Sequence, residues 1–470
     1  MSTNRRGFIG TMAGLVASGL SLKAYAQSHS AHMQSMPTSH SAMPSDMGHI
    51  MNPSSPDGRF VPVATPDMYK LPYEIEKGVK VFRLVAEVVK REFLPGYVFD
   101  LWGYNGQAPG PTIEVMEGDH VRIIFENRLP EPTTVHWHGL EVPIEMDGVP
   151  AISQPLTPPG GTYTYEFTLH QNGTFFYHSH MAMQEMMGMI GFFIIHPKKP
   201  YEPRVDKDFA IVLQEWAILP NNTIPNSFSM EFNWLTMNGK AGPATTPLIV
   251  KLGDRVRLRF VNLGMDHHPI HLHGHQWNIT GTEGGRVPET AWYPNNTVLV
   301  GVAQVRDVEF VAKYPGDWML HCHLPHHMMN HMASMVGPMA EMGMGMHSGM
   351  DMNAGMGMME GHAMSEELGP GLGRGMGIAS DREKSISHAV GHGAGHEGAE
   401  HPMEMTARVP GYPQDMHMWM PMDDMVAKPE TYGLAKDWSA AITGMMTLVR
   451  TLPPDKYDEI MRLIRETGQE

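Results

Sequence analysis

From about residue 70 to residue 335, apolar and polar positions alternate in short runs. VRIIFEN, TYTYEFTL, VRLRFVN and VRDVEFVA each carry the period of two that turns one strand face to a core and the other to water. Pro and Gly separate the runs, so this stretch predicts β-sandwiches. Some of the runs are near copies of one another. GDHVRIIFEN at 118–127 matches GDRVRLRFVN at 253–262, and GTFFYHSH at 173–180 matches GDWMLHCH at 316–323. Two copies of one β-domain are expected, at 70–198 and 205–337, with no room for a third between them.

The flanks have a different texture. Asn4-Arg5-Arg6-Gly7-Phe8-Ile9, a weakly apolar run to Leu22 and Ala24-Tyr25-Ala26 predict a cleaved twin-arginine export leader at 1–26. The compartment expected is the periplasm or the cell exterior. Residues 27–69 are rich in Ser, Pro, His and Met and are expected to be disordered; 338–410 reads as a Met/Gly/His-rich linker. Residues 411–470 predict a helical tail, two short helices broken at Pro453-Pro454. No later stretch reaches the roughly 18 apolar residues of a membrane helix, so no span is expected.

Composition narrows the chemistry. The 470 residues carry a net charge of −16, which argues against nucleic acid and does not oppose a cationic substrate. A single cysteine, Cys322, rules out disulfide staples within the chain. The 28 His and 44 Met bring imidazole and thioether, the neutral ligands of copper.

The histidines fall in pairs. His136/His138, His178/His180, His271/His273 and His321/His323 are four His-x-His units at matched places in the repeats. On a strand, i and i+2 share a face, so each unit offers two imidazoles to one metal. Eight such rings are costly as a merely structural core, because every ring nitrogen needs a partner. Cys322, between His321 and His323, must point the other way. His268, His327 and Met332 lie within reach, a donor set suited to a mononuclear copper–thiolate site. Carried back through the repeat, Cys322 falls on Ser179, His268 on Thr133 and His327 on Gln184. The second domain alone should hold the thiolate site, while both should contribute to the cluster.

HWHG, HSH, His268-Pro-Ile-His271-Leu-His273 and the run from His321 to His327 resemble the four motifs of the multicopper oxidase family, in its order. The likeness covers about residues 70–337. It implies an all-β chain of two cupredoxin-like, Greek-key β-sandwich domains, with four copper ions per functional unit. By motif, the type 1 copper takes His268, Cys322 and His327, with Met332 axial. The type 2 copper takes His136 and His271, and the type 3 pair takes His138, His178, His180, His273, His321 and His323. The resemblance also implies single-electron uptake at the type 1 site. Transfer through Cys322 to His321 and His323 and reduction of O2 to two waters follow. Asp147, just after HWHG, matches an acid of relatives and is a candidate proton donor; a turn residue before Gly148 is the other reading. Only 87 residues separate His180 from His268, as in two-domain relatives that share clusters between subunits, so a homotrimer is expected.

The reductant is less constrained. Met181, Met183, Met186, Met187 and Met189 follow the second pair, and thirteen methionines lie between 339 and 405. Soft thioethers select Cu(I), which suggests a cuprous oxidase serving copper tolerance. The competing expectation is a laccase-like oxidase of small aromatic reductants. A copper nitrite reductase or a non-catalytic copper-binding protein ranks below both.

Overall fold

The computed structural model describes residues 60–181, 183–219, 222–328 and 421–467. The leader, most of the 27–69 stretch, Met332 and the 338–410 segment lie outside the described residues.

Four mixed sheets carry the described chain. The first holds β1 (Tyr73–Glu76), β2 (Val79–Leu94), β3 (Tyr97–Tyr104), β5 (His120–Asn127) and β7 (Thr162–Thr168). The second holds β4 (Ile113–Met116), β6 (Val135–His138), β8 (Gly173–Ser179) and β9 (Ile190–His196), in the order β4-β9-β8-β6. The third holds β10 (Lys207–Trp216), β11 (Trp234–Met237), β13 (Arg255–Asn262), β15 (Trp277–Thr282), β16 (Gly285–Arg286), β17 (Pro294–Asn295) and β19 (Gln304–Val311). The fourth runs β12-β21-β20-β14-β18, from β12 (Leu248–Lys251), β14 (His268–Leu272), β18 (Thr297–Val300), β20 (Gly316–Cys322) and β21 (Met446–Leu452).

Packing orders the sheets as four layers. Phe82, Val121 and Phe125 of the first sheet meet Val135, Trp137, Phe175 and Phe193 of the second. The opposite face of the second sheet, with Phe176, Phe192 and Ile194, packs on Ala210, Val212 and Val261 of the third. The third sheet's other face, with Ile211, Leu258 and Phe260, meets Ile270, Leu272, Leu320 and Cys322 of the fourth. Strand sequences follow this order. In the outer first sheet β5 alternates between buried and partly exposed positions, whereas β9, sandwiched on both faces, is buried throughout.

Two expectations change. Part of 60–69 is packed rather than disordered: Val63 is fully buried in the interface between the second and third sheets, and Ala64 bridges to Phe209. Its apolar side chain fills a site that two facing sheets leave open. Among its described residues, the tail is not two α-helices. Residues 446–452 are β21, held parallel to β12 and antiparallel to β20, and one helix, α1 (Pro454–Glu466), follows. Gly444 at φ +65° stops a helix from running through, and Thr447, Val449 and Thr451 suit a strand. Proline at the first turn of α1 costs no hydrogen bond. Ile460 and Ile464 then cover Ile249 and Leu452 at the edge of the fourth sheet.

Candidate metal centres

The thiol site is built where β14 and β20 run side by side. Ile270 pairs with Cys322 and His271 with His321, so Cys322 faces the core and His321 faces out. His268 enters from the start of β14, and His327 from a 3-10 turn at Pro325–Met328. The three converge. Cys322 Sγ lies 3.4 Å from His327 Nδ1 and 3.8 Å from His268 Nδ1, and the two Nδ1 atoms are 3.1 Å apart. All three residues are buried. His267, the neighbouring imidazole, is exposed, and its Nδ1 accepts from the Val302 amide instead.

The surroundings fix which nitrogens are free. His268 Nε2 donates to Glu215 Oε2 at 3.0 Å, both side chains fully buried. His327 Nε2 points to Asp266 Oδ2 at 3.5 Å. With a carboxylate holding each Nε2–H, both Nδ1 atoms carry lone pairs directed at each other and at the sulfur. Such a cluster could hold a shared cation. Burial pushes the Cys322 thiol up to about 12 and His327 down to about 4, so without metal a neutral thiol faces a neutral His327 imidazole. Burial alone would raise Glu215, yet the hydrogen bond and charge of His268 and two backbone amides hold it below its ordinary value. Gly264 leaves room for that carboxylate, since a Cβ there would overlap both oxygens.

The paired histidines form two sets of four. In the first sandwich, His136, His138 and His178 present nitrogens within 4.8 Å of one another, and His180 lies 5.4 Å from the His136 ring. His136 Nδ1 donates to the Asp147 carbonyl at 2.7 Å, and His178 Nδ1 to the Ser179 carbonyl at 2.7 Å. Both therefore turn Nε2 inward. In the second sandwich His271 Nδ1 donates to the Asn296 carbonyl and His321 Nδ1 to the Cys322 carbonyl. His273 Nε2 and His321 Nε2 approach to 3.1 Å, and the His323 ring lies 5.3 Å from His321. Burial lowers His138 and His321 to about 4, keeping these rings neutral and able to ligate. The Asp147 carboxylate stands 3.5 Å from His136 Nδ1.

The eight rings do not meet within one chain. The first set sits on the face of the second sheet that turns toward the third, where His138 stacks on Phe176. The second set sits on the outer face of the fourth sheet. Two stacked-sheet spacings, about 20 Å, separate those faces. His180, His273 and His323 are exposed.

Sequence reasoning missed Glu215, Asp266 and Gly264. One signal was present: Gln214 and Glu215 follow the apolar run Phe209–Leu213 in KDFAIVLQEW, a strand buried from Asp208 on.

Residues 87–200 and 218–338 match two family models, both described as multicopper oxidase. Copper resistance protein A of Pseudomonas syringae pv. tomato is 43% identical over 113 residues, 24% of this chain and 19% of the relative. Laccase-2 of Cryptococcus neoformans var. grubii is 32% identical over 225 residues, 41% of this chain and 38% of the relative. The chain thus spans about a fifth of the length of the first and under half of the second. A blue copper oxidase structure from Nitrosomonas europaea is 36% identical with a TM-score of 0.49, over 53% of this chain and 81% of that one.

Proposed function

Because the chain belongs to the multicopper oxidase family and its two sandwiches are cupredoxin-like, we propose that it couples one-electron oxidation of Cu(I) to four-electron reduction of O2 to water. The observation that carries this reading is the convergence of Cys322 Sγ, His268 Nδ1 and His327 Nδ1 on one point, with His321 on the opposite face of the same strand and the His323 ring beside it. The donor set fits copper: two imidazole lone pairs and a thiolate suit a mononuclear site, and sets of four imidazoles suit a cluster. In this reading His268, Cys322 and His327 hold the type 1 ion. His136 and His271 hold type 2, and His138, His178, His180, His273, His321 and His323 hold the type 3 pair. Copper, when bound, supplies the one-electron redox chemistry that these side chains lack.

The chain's own residues do the rest. Glu215 and Asp266 hold the two imidazoles in the tautomer that leaves Nδ1 free. The fully buried core keeps water from the sulfur. Covalent bonds run from Cys322 Sγ through the adjoining peptides to the His321 and His323 rings. Four Cu(I) give up four electrons, and O2 takes these and four protons to become two waters. Asp147, partly exposed and beside His136, is placed to pass protons from solvent. Because each chain presents two open half-sets on separated faces, we assign the complete cluster to the contact between the first sandwich of one subunit and the second of the next. A closed ring of three such contacts is the proposed assembly.

Cu(I) as reductant rests on the likeness to copper resistance protein A and on soft donors in the chain. Among these, Met186 and Met265 pack together, and the Met265 amide bonds Glu215. The twin-arginine leader supports an exported setting. Oxygen uptake by the copper-loaded full chain tests the proposal: Cu(I) should drive uptake. Turnover of a dimethoxyphenol with none of Cu(I) would make it a laccase, and uptake with neither would leave a copper-binding protein. Light scattering on the active protein should give a trimer; an active monomer would end the shared-cluster assignment.

A further inference from the structure

The family match ends at residue 338, yet the fourth sheet is completed by a strand more than a hundred residues later. β21 is the counterpart of β9. Ile113 pairs with Phe193 in the first sandwich, and Leu248 with Val449 in the second, at corresponding places in the same strand order. The counterpart of Met189 is then Met445. The backbone agrees: the Ser179 amide donates to the Met189 carbonyl at 3.2 Å, and the Cys322 amide to the Met445 carbonyl at 3.0 Å. The Met445 amide in turn donates to the His327 carbonyl at 2.8 Å.

Met445 is therefore tied by its main chain to two of the three convergent residues. It is fully buried, in the same core cluster as Cys322, whereas Met446 turns outward to pack with Met319 and Met328. We propose that Met445 supplies the thioether of the Cys322–His268–His327 site, carried in by β21 from beyond residue 420. Spacing alone selects another residue. Ten positions separate Ser179 from Met189, and ten from Cys322 end on Met332, whereas the paired strand brings in a methionine 123 positions on. In sequence, the stretch between His327 and Met445, with its run of Met and His, then falls between two ligands of that site.

This inference rests on the copper reading of the site. A weak axial thioether tunes the spectrum and potential of a copper–thiolate centre, so both report on its identity. The test uses the copper-loaded full chain with Met445→Gln and Met445→Leu, the second being close in volume in case the first does not fold. Expected are a blue band and electron-spin coupling moved in Met445→Gln, and potentials displaced in opposite directions, lower for Gln and higher for Leu. Met189→Leu, at the matching place in the first sandwich, should leave these readouts at wild type. Met445 variants identical to wild type would overturn the assignment, as would the same shifts arising from Met332→Leu. A wild-type protein with no blue band would instead sink the copper reading itself.

Discussion

At matching places the two sandwiches hold different chemistry on one scaffold. In the first, Thr133 Oγ1 and Ser179 Oγ stand 3.0 Å apart and the Ser179 hydroxyl donates to Gln184 Oε1 at 2.8 Å. In the second, His268, Cys322 and His327 take those positions. Even the outer partner repeats: Gln184 Nε2 donates to Glu131 Oε2 at 3.3 Å, and His327 faces Asp266 at 3.5 Å. Hydroxyls and an amide satisfy one another by donating and accepting. Two imidazole lone pairs and a thiol cannot, which is why one site closes as a hydrogen-bonded plug and the other asks for a cation.

The difference reaches the supporting residues. β2 aligns with β10 through Ala86 opposite Asn127 and Leu213 opposite Asn262, which sets Val88 where the second sandwich has Glu215. Leu129 likewise stands where Gly264 makes room. A carboxylate and the glycine that admits it occur together only on the side with imidazoles to orient.

Breaking the asymmetry should cost most at the sulfur. Cys322→Ser is expected to abolish Cu(I)-driven oxygen uptake, while Ser179→Cys keeps it; equal rates in the two would dissolve the contrast. Next, Glu215→Gln should weaken copper retention at the thiolate site by about 10–100-fold, read by chelator competition. Gly264→Ala should act in the same direction by displacing Glu215, with roughly 1–3 kcal/mol lost from thermal stability by calorimetry. A graft of Thr133→His, Ser179→Cys and Gln184→His should give the first sandwich a new but weaker thiolate–metal absorption with Co(II), because Val88 and Leu129 leave the grafted imidazole without its carboxylate.

The smallest effect is on metal-free stability. His138, His321 and His327 sit near 4 in the folded chain against an ordinary value of about 6.5, so the unfolded state takes up protons first as pH falls. Apo-protein melting temperature should therefore fall as pH drops from about 6.5 toward 4. Replacing His327 by Gln, as in the first sandwich, should shallow the slope; an unchanged slope would remove His327 from the account.

Much of this was legible in the sequence because it depends on local period and repetition. Strand alternation placed Cys322 opposite His321 and His323, and the repeat identified Thr133, Ser179 and Gln184 as the counterparts. What escaped depends on distance along the chain. Glu215 reaches His268 across 53 residues with no shared motif. The closing strand of the second sandwich was hidden because 123 residues separate Cys322 from Met445, and the run before Pro453 satisfies both helical and strand patterns. Pairing on both sides, with β12 and β20, decides for the strand. The separation of the eight imidazoles into two faces is a property of layer order, which no single strand encodes.

Copper content together with the visible spectrum of purified wild type and Cys322→Ser tests the central claim most directly. Wild type should hold four copper ions per chain and be intensely blue. The variant should keep three and lose the colour, because the sulfur serves one site and its neighbours the other. A variant that stays blue, or that loses all of its copper together, would contradict the account.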